Sequence, residues 1–217
     1  GNEDDYANLV ESTLPWDYIL VDEAQDWPQN ELDLLLKVRG HRGLVIAGGV
    51  NQLVRQPFPA DWMAAIPRNN RVILPLDKCL RMKSNIARFV TSLGVELGVQ
   101  LRWSLEESIP GGKVIIVDGN YEDQKDLHDS LTEKISSDGQ KPLDMLFCVP
   151  PHMVHEDSDG NRTSTLGTTL ESWGHDIWDG VSSDIRRGYP TSVAQLRIVQ
   201  YDSCRGLEGW TSVNLGL

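Results

Sequence analysis

The chain has no apolar run near the ~18 residues needed to cross a bilayer, so no membrane helix is expected in its 217 residues. Its first fifteen residues, from Gly1-Asn2-Glu3-Asp4-Asp5 onward, are acidic and lack the basic start and apolar core of a secretory signal. Cysteine is scarce. Cys79, Cys148 and Cys204 are far apart and odd in number, which suits a reducing cytoplasm and gives no metal-ligand spacing. The histidines (His41, His128, His152, His155, His175) form no His-x-x-x-His pair and are read as surface or supporting residues. No Ser/His/Asp arrangement stands out. Positive charge is also short: 20 Lys and Arg stand against 32 Asp and Glu, a net charge of −12. That is the wrong sign for a free-standing nucleic-acid binder. One local basic cluster exists, Arg68, Arg71, Lys78, Arg81, Lys83 and Arg88. A solvated face and a strand-binding face are both open for it.

What remains is ordinary for a globular protein, with 40% hydrophobic and 24% charged residues. This length can bury one good core or two small ones. Residues 1–15 read as a polar leader. Tyr18 to Val21 reads as a strand. Pro28 suits the first turn of a helix striped by Leu32, Leu35 and Leu36 and stopped by Gly40. Leu44 to Ala47 is a second expected strand and Val72 to Leu74 a third. A helix from about Ser84 carries Ile86, Phe89, Val90, Leu93 and Leu97 on one expected buried face. Pro110-Gly111-Gly112 is the clearest break, so the chain divides into residues 16–109 and 110–217.

Beyond the break, Val114 to Val117 reads as a strand, Gln124 to Ile135 as a helix, and Met145 to Val149 as a strand closed by Pro150-Pro151. A polar loop is expected from His155 to Arg162 and a helix around Leu166, Leu170 and Trp173. The last expected strands are Leu196 to Gln200 and Val213 to Leu215. Strands alternating with helical patterns predict an α/β fold with mainly parallel sheets.

The most telling stretch is Tyr18-Ile19-Leu20-Val21-Asp22-Glu23-Ala24-Gln25-Asp26. A β-prone apolar run ends in two adjacent carboxylates. Open α/β sheets place their chemistry just past the carboxyl ends of such strands. Asp22 and Glu23 there suit a magnesium ion and an oriented water.

Asp22-Glu23-Ala24-Gln25-Asp26 resembles the second signature motif of superfamily 1 helicases of the UvrD/Rep-like group. The resemblance implies a RecA-like fold and a motor that uses ATP and Mg2+ to move on single-stranded DNA or RNA. It gives Asp22 to the magnesium ion and Glu23 to the attacking water, with Gln25 and Asp26 linking that site to the rest of the fold. Gly48-Gly49-Val50-Asn51-Gln52 is similar to the third motif, Gly-Asp-x-x-Gln, and Gln52 would sense the terminal phosphate. Gly49 stands where that motif has Asp. Trp62, further on, could stack on a base, although a core role suits it better.

Leu76 to Met82 is similar to the fourth motif through its Leu and its Arg, so Arg81 would act as an arginine finger. Cys79 and Leu80 replace its Asn and Tyr. Gln200 to Trp210 resembles the fifth motif, in which Arg205-Gly206-Leu207-Glu208 matches Lys-Gly-Leu-Glu. Arg205, Gly206 and Glu208 would meet the nucleotide along with Gln25, Glu208 accepting a ribose hydroxyl and Gly206 permitting close approach. Gln200 and Asp202 replace the family's Thr and His.

Two family parts are not found. No Gly-x-x-x-x-Gly-Lys-Ser/Thr loop occurs, and Gly111-Gly112-Lys113 precedes an expected strand instead of opening a helix. No sixth, Arg-bearing motif follows the fifth. The resemblance therefore implies a segment of a motor: the later part of one RecA-like domain (16–109) and most of a second (110–217), with little ATPase activity alone. A degenerate, non-catalytic binding module is the alternative. A magnesium-dependent nuclease using Asp22 and Glu23 is a weaker third, because no further acid cluster or Lys completes it.

Overall fold

The computed structural model describes residues 16–49, 60–76, 78–79, 81–99, 104–105, 109–204 and 206–217. The chain forms two compact units, Gly1–Val114 and Ile115–Leu217. The division falls just past Pro110-Gly111-Gly112.

In the first unit, β1 (Ile19–Val21) is followed by α1 (Gln29–Arg39) and by β2 (Leu44–Ile46). The two strands are parallel, with Ile19 opposite Leu44 and Val21 opposite Ile46. Pro28 occupies the cap of α1 and Gly40 ends it, as the pattern predicts. Leu32 is fully buried and packs with Val21, Ala24, Ala60 and Trp62. Complete burial of a Leu-sized side chain contributes roughly 1.5–3 kcal/mol. This packing lies on one face only: Leu20 and Val45, on the other face, are 76% and 53% exposed. After β2 come α2 (Trp62–Ala65), capped by the Asp61 carboxylate accepting from the Ala64 N–H at 2.8 Å, then the parallel pair β3 (Lys78–Cys79) and β4 (Ser104–Leu105), with α3 (Ser84–Glu96) between them.

Two expectations fail in this unit. Val72 to Leu74 is not a strand; it pairs with no neighbour in a described sheet and its side chains are exposed. Helix α3 forms where expected, but Phe89, Leu93 and Leu97 are exposed and burial falls instead on Ser84, Ala87 and Gly94. Period and propensity report what could be buried; among the described residues, Ile86 and Val90 of that stripe are half-buried and the other three stay exposed.

The second unit contains a four-stranded, fully parallel sheet in the order β10-β5-β9-β8, built from β5 (Met145–Val149), β8 (Asp176–Asp179), β9 (Gln195–Gln200) and β10 (Thr211–Asn214). Around it lie α4 (Lys125–Ser137), α5 (Thr165–Ser172) and the short α6 (Ser183–Arg186). Every residue of β5 is buried. Met145, Phe147 and Val149 join Leu166, Leu170, Leu196 and Ile198 in one core, while Leu146 and Cys148 meet Val199 in another. Burial on both faces is what a central parallel strand requires. The protein is thus a mixed α/β fold with a parallel four-stranded sheet.

Three details depart from the sequence reading. Val114 to Val117 joins none of the sheets formed by the described residues, and Ile116 is 81% exposed. The span from His155 to Arg162 is not simply a loop; β6 (Val154–Glu156) and β7 (Arg162–Ser164) pair antiparallel around it. Strand β8 was not expected, because Asp176-Ile177-Trp178-Asp179 has polar ends and only two apolar residues. Among the described residues, no helix is long and apolar enough to cross a membrane.

Candidate functional site

The acid pair lies directly past the carboxyl end of β1. The parallel ladder continues one step beyond the strands, with the Ala47 N–H donating to the Val21 carbonyl and the Ala24 N–H to the Ala47 carbonyl, at 2.8 and 2.9 Å. Between these bonds the chain turns sharply. Glu23 takes a left-handed conformation (φ 50°, ψ 41°), the single non-glycine residue with positive φ among those described. An L-residue there costs roughly 1–2 kcal/mol. Three neighbours hold it. The Glu23 N–H donates to the Asp22 carboxylate at 2.9 Å, and the Asp26 N–H donates to the Glu23 carbonyl at 2.9 Å. The Gln25 side-chain N–H2 donates to the Glu23 carboxylate at 2.7 Å.

Gln25 also reaches the other strand end. Its Oε1 accepts from the Gly49 N–H at 2.9 Å. Gln25 is 5% exposed, so both ends of its carboxamide serve buried or half-buried partners. Gly48 fits this approach: a Cβ there would stand 3.0 Å from Gln25 Oε1. Trp62 supports the turn from below, its indole N–H donating to the Ala24 carbonyl at 2.8 Å and its ring meeting Trp27 edge-on at 5.7 Å. Trp62 is 8% exposed and so acts as a core residue. Asp22 is exposed and Glu23 half-buried, so both carboxylates sit at the surface of a turn whose backbone is fixed.

The structure therefore brings Asp22, Glu23, Gln25 and Gly49 together. Gln52 and Arg205 lie outside the described residues. Arg81 is exposed in the turn that leads into α3. Within the basic cluster, Arg68, Lys78, Arg81, Lys83 and Arg88 are exposed, whereas Arg71 folds back to donate to the Met63 and Ile66 carbonyls.

In the second unit, the fifth-motif segment crosses from β9 to β10. Gly206 has φ 73° and a Cβ there would meet nothing within 4 Å, so conformation, not crowding by the chain, calls for glycine. The Glu208 carbonyl accepts from Arg197 Nη2 at 2.6 Å, and the Glu208 side chain is exposed. Burial lowers the Arg197 guanidinium pKa and Asp144 opposes that shift. Gln200 is 4% exposed and its side-chain oxygen accepts from Arg162 Nη2 at 3.0 Å, so it is tied into the carboxyl end of the interior strand β9. Asp202 is exposed and accepts from the Ser203 hydroxyl.

Two buried polar groupings were not anticipated. Asp179, at the end of β8, accepts at one oxygen from the Ser164 N–H (2.8 Å) and hydroxyl (2.9 Å), while Ser164 Oγ caps α5 by accepting from the Gly167 N–H. Burial pushes the Asp179 carboxyl pKa up against those hydrogen bonds. His128 is also wholly buried, contrary to the surface reading, with Tyr121 OH 3.0 Å from its Nδ1 and His175 Nε2 2.9 Å from its Nε2. Burial, then the neighbouring His175, lowers the His128 pKa to about 4. Helical period was the available signal: His128 and Leu131 share the inner stripe of α4.

Among the described residues no three His, Cys, Asp or Glu side chains cluster as a metal-binding set. No protein-family model matches the chain, and no curated protein is significantly similar to it.

Proposed function

We propose that the chain is a segment of an ATP-dependent superfamily 1 motor of the UvrD/Rep-like kind. It would comprise the later part of one RecA-like domain and most of a second, and would couple ATP hydrolysis to movement on single-stranded DNA or RNA. The observation that carries this reading is the Gln25 bridge. One carboxamide joins the Glu23 carboxylate to the Gly49 N–H, and so ties together the turns that follow two parallel strands. Those are the turns in which the second and third motifs fall.

The donor set fits magnesium. Mg2+ takes one or two protein carboxylates and completes its octahedron with phosphate oxygens and water, so it does not need a cluster of three protein ligands. Asp22, exposed on a fixed turn, would hold it, and the ion would neutralise charge on the ATP phosphates. Glu23 would orient a water, its carboxylate aimed by Gln25. By the resemblance, Arg81 would face the terminal phosphate, Gln52 would sense it, and Arg205, Gly206 and Glu208 would contact the nucleotide. A phosphate-binding loop would have to come from elsewhere in the motor.

A second reading, a non-catalytic helicase-like binding module, has specific support. Gly49 offers only a backbone N–H where the motif has Asp, and that N–H is already taken by Gln25. Gln200 is engaged by Arg162. The gene upstream of Gly1 separates the readings. A Gly-x-x-x-x-Gly-Lys-Ser/Thr sequence opening a helix within a few hundred residues supports the motor, and its absence supports the module.

A further inference from the structure

Two cysteines far apart in sequence meet behind the fifth-motif segment. Cys148, on β5, is 3% exposed and packs with Leu146 and Val199. Cys204 is half-buried and packs against the same cluster. Topology makes the meeting. Strands β5 and β9 are hydrogen-bonded neighbours with Cys148 opposite Val199. A tight turn at Tyr201–Ser203 then brings the chain back, with Cys204 Sγ donating to the Tyr201 carbonyl at 3.1 Å. Cys148 and Cys204 thus share one small cluster between the sheet and the turn that follows β9. No role in nucleotide chemistry requires either thiol.

We propose that Cys148 and Cys204 form an oxidisable dithiol, a modification site at which a peroxide-class oxidant closes a disulfide between β5 and the turn after β9. The balance is simple. The Cys204 sulfur, the more accessible of the two, attacks the peroxide; the O–O bond breaks, leaving a sulfenic acid and one water. The Cys148 sulfur then displaces the sulfenic hydroxyl. An S–S bond forms, an S–O bond breaks, and the hydroxyl leaves with the Cys148 proton as a second water. Two thiols lose two electrons and one peroxide gains them. Exposure sets this order, because Cys148 is 3% exposed and Cys204 only half-buried, and burial also pushes the Cys148 thiol up to about 12. The bond would anchor Cys204, and with it the start of the segment that leads to Gly206 and Glu208. The proposal stands apart from the motor reading, since it rests on where strand order and the turn after β9 place the two cysteines.

The test treats the folded 217-residue chain with hydrogen peroxide, blocks remaining thiols with an alkylating agent, and maps peptides by mass spectrometry. The expected product is a Cys148–Cys204 cross-linked peptide, lighter by two hydrogens and reversed by dithiothreitol. It should form at least about tenfold faster in the folded chain than in urea, because folding raises the effective concentration of one thiol at the other. Cys79→Ser should keep the cross-link. Cys204→Ser should abolish it while leaving the circular dichroism spectrum unchanged. Oxidation of Cys204 without the cross-link, no reaction at either thiol in the folded chain, or equal rates folded and in urea would overturn the proposal.

Discussion

Gln25 and Gly49 are joined by one hydrogen bond of 2.9 Å, from the glycine N–H to the side-chain oxygen, across 24 residues of sequence. The other end of the same side chain holds the Glu23 carboxylate. A single buried amide thus sets both the spacing of two turns and the direction of an acid. Glu23 keeps a left-handed backbone that costs energy, and such strain persists only where surrounding bonds over-determine it.

Replacing that amide should therefore be expensive. Gln25→Leu keeps the volume and leaves the Gly49 N–H without its partner, which costs about 1–3 kcal/mol. Urea unfolding should show the midpoint falling accordingly. A change below about 0.3 kcal/mol would mean that the bridge does not hold the two turns.

Asp179 offers a parallel case in the second unit. It receives both the N–H and the hydroxyl of Ser164, which itself caps α5. Asp179→Ala strands a buried N–H and loosens that cap, at a cost of about 2–3 kcal/mol. Thermal melts should register the loss. Ser164→Ala, which keeps the N–H bond to Asp179 but removes the cap, should cost less, about 1 kcal/mol. The reverse order of the two variants would contradict the assignment.

Acid should destabilise the second unit through His128. Its folded-state pKa, about 4, lies below the ordinary histidine value of 6.5. Below pH 6.5 the unfolded chain takes up a proton that the folded chain refuses, so stability is lost as pH falls from about 6.5 to about 4 and is fully present above that window. His175, also lowered by burial, acts in the same direction. The geometry agrees, because two protonated rings could not share a 2.9 Å Nε2–Nε2 contact. The expected loss from His128 is about 2 kcal/mol. Urea unfolding at pH 7.5 and 4.5, compared between the protein and His128→Gln, should show a shallower pH dependence in the variant. Equal dependence would remove His128 as the cause.

The sequence read well where chemistry and local order coincide. An apolar run into Asp22-Glu23, a Pro-to-Gly bounded helix and the fully buried Met145–Val149 strand all appear where expected. Gln25 bonds both Glu23 and Gly49, two partners that could not be read from spacing. What failed depended on partners. Val72–Leu74 and Val114–Val117 have strand composition but pair with no neighbour among the described residues, and a strand is defined by its neighbour. Strand β8 has only two apolar residues between polar ends and forms where β9 offers it a partner. The burial of His128 was readable from the period of α4, but its meeting with His175 and that of Cys148 with Cys204 are long-range results of the fold, which no local pattern encodes.

The central claim is that Asp22 and Glu23 are half of an ATP-hydrolysing site. The most direct test is magnesium-dependent ATP turnover, measured side by side for the 217-residue chain and for a longer product extended upstream through any Gly-x-x-x-x-Gly-Lys-Ser/Thr loop its gene encodes, each with and without Glu23→Gln. The account predicts no turnover above background by the chain alone, and turnover by the longer product that falls at least about a hundredfold on Glu23→Gln. Robust turnover by the chain alone, or a longer product indifferent to Glu23→Gln, would contradict it.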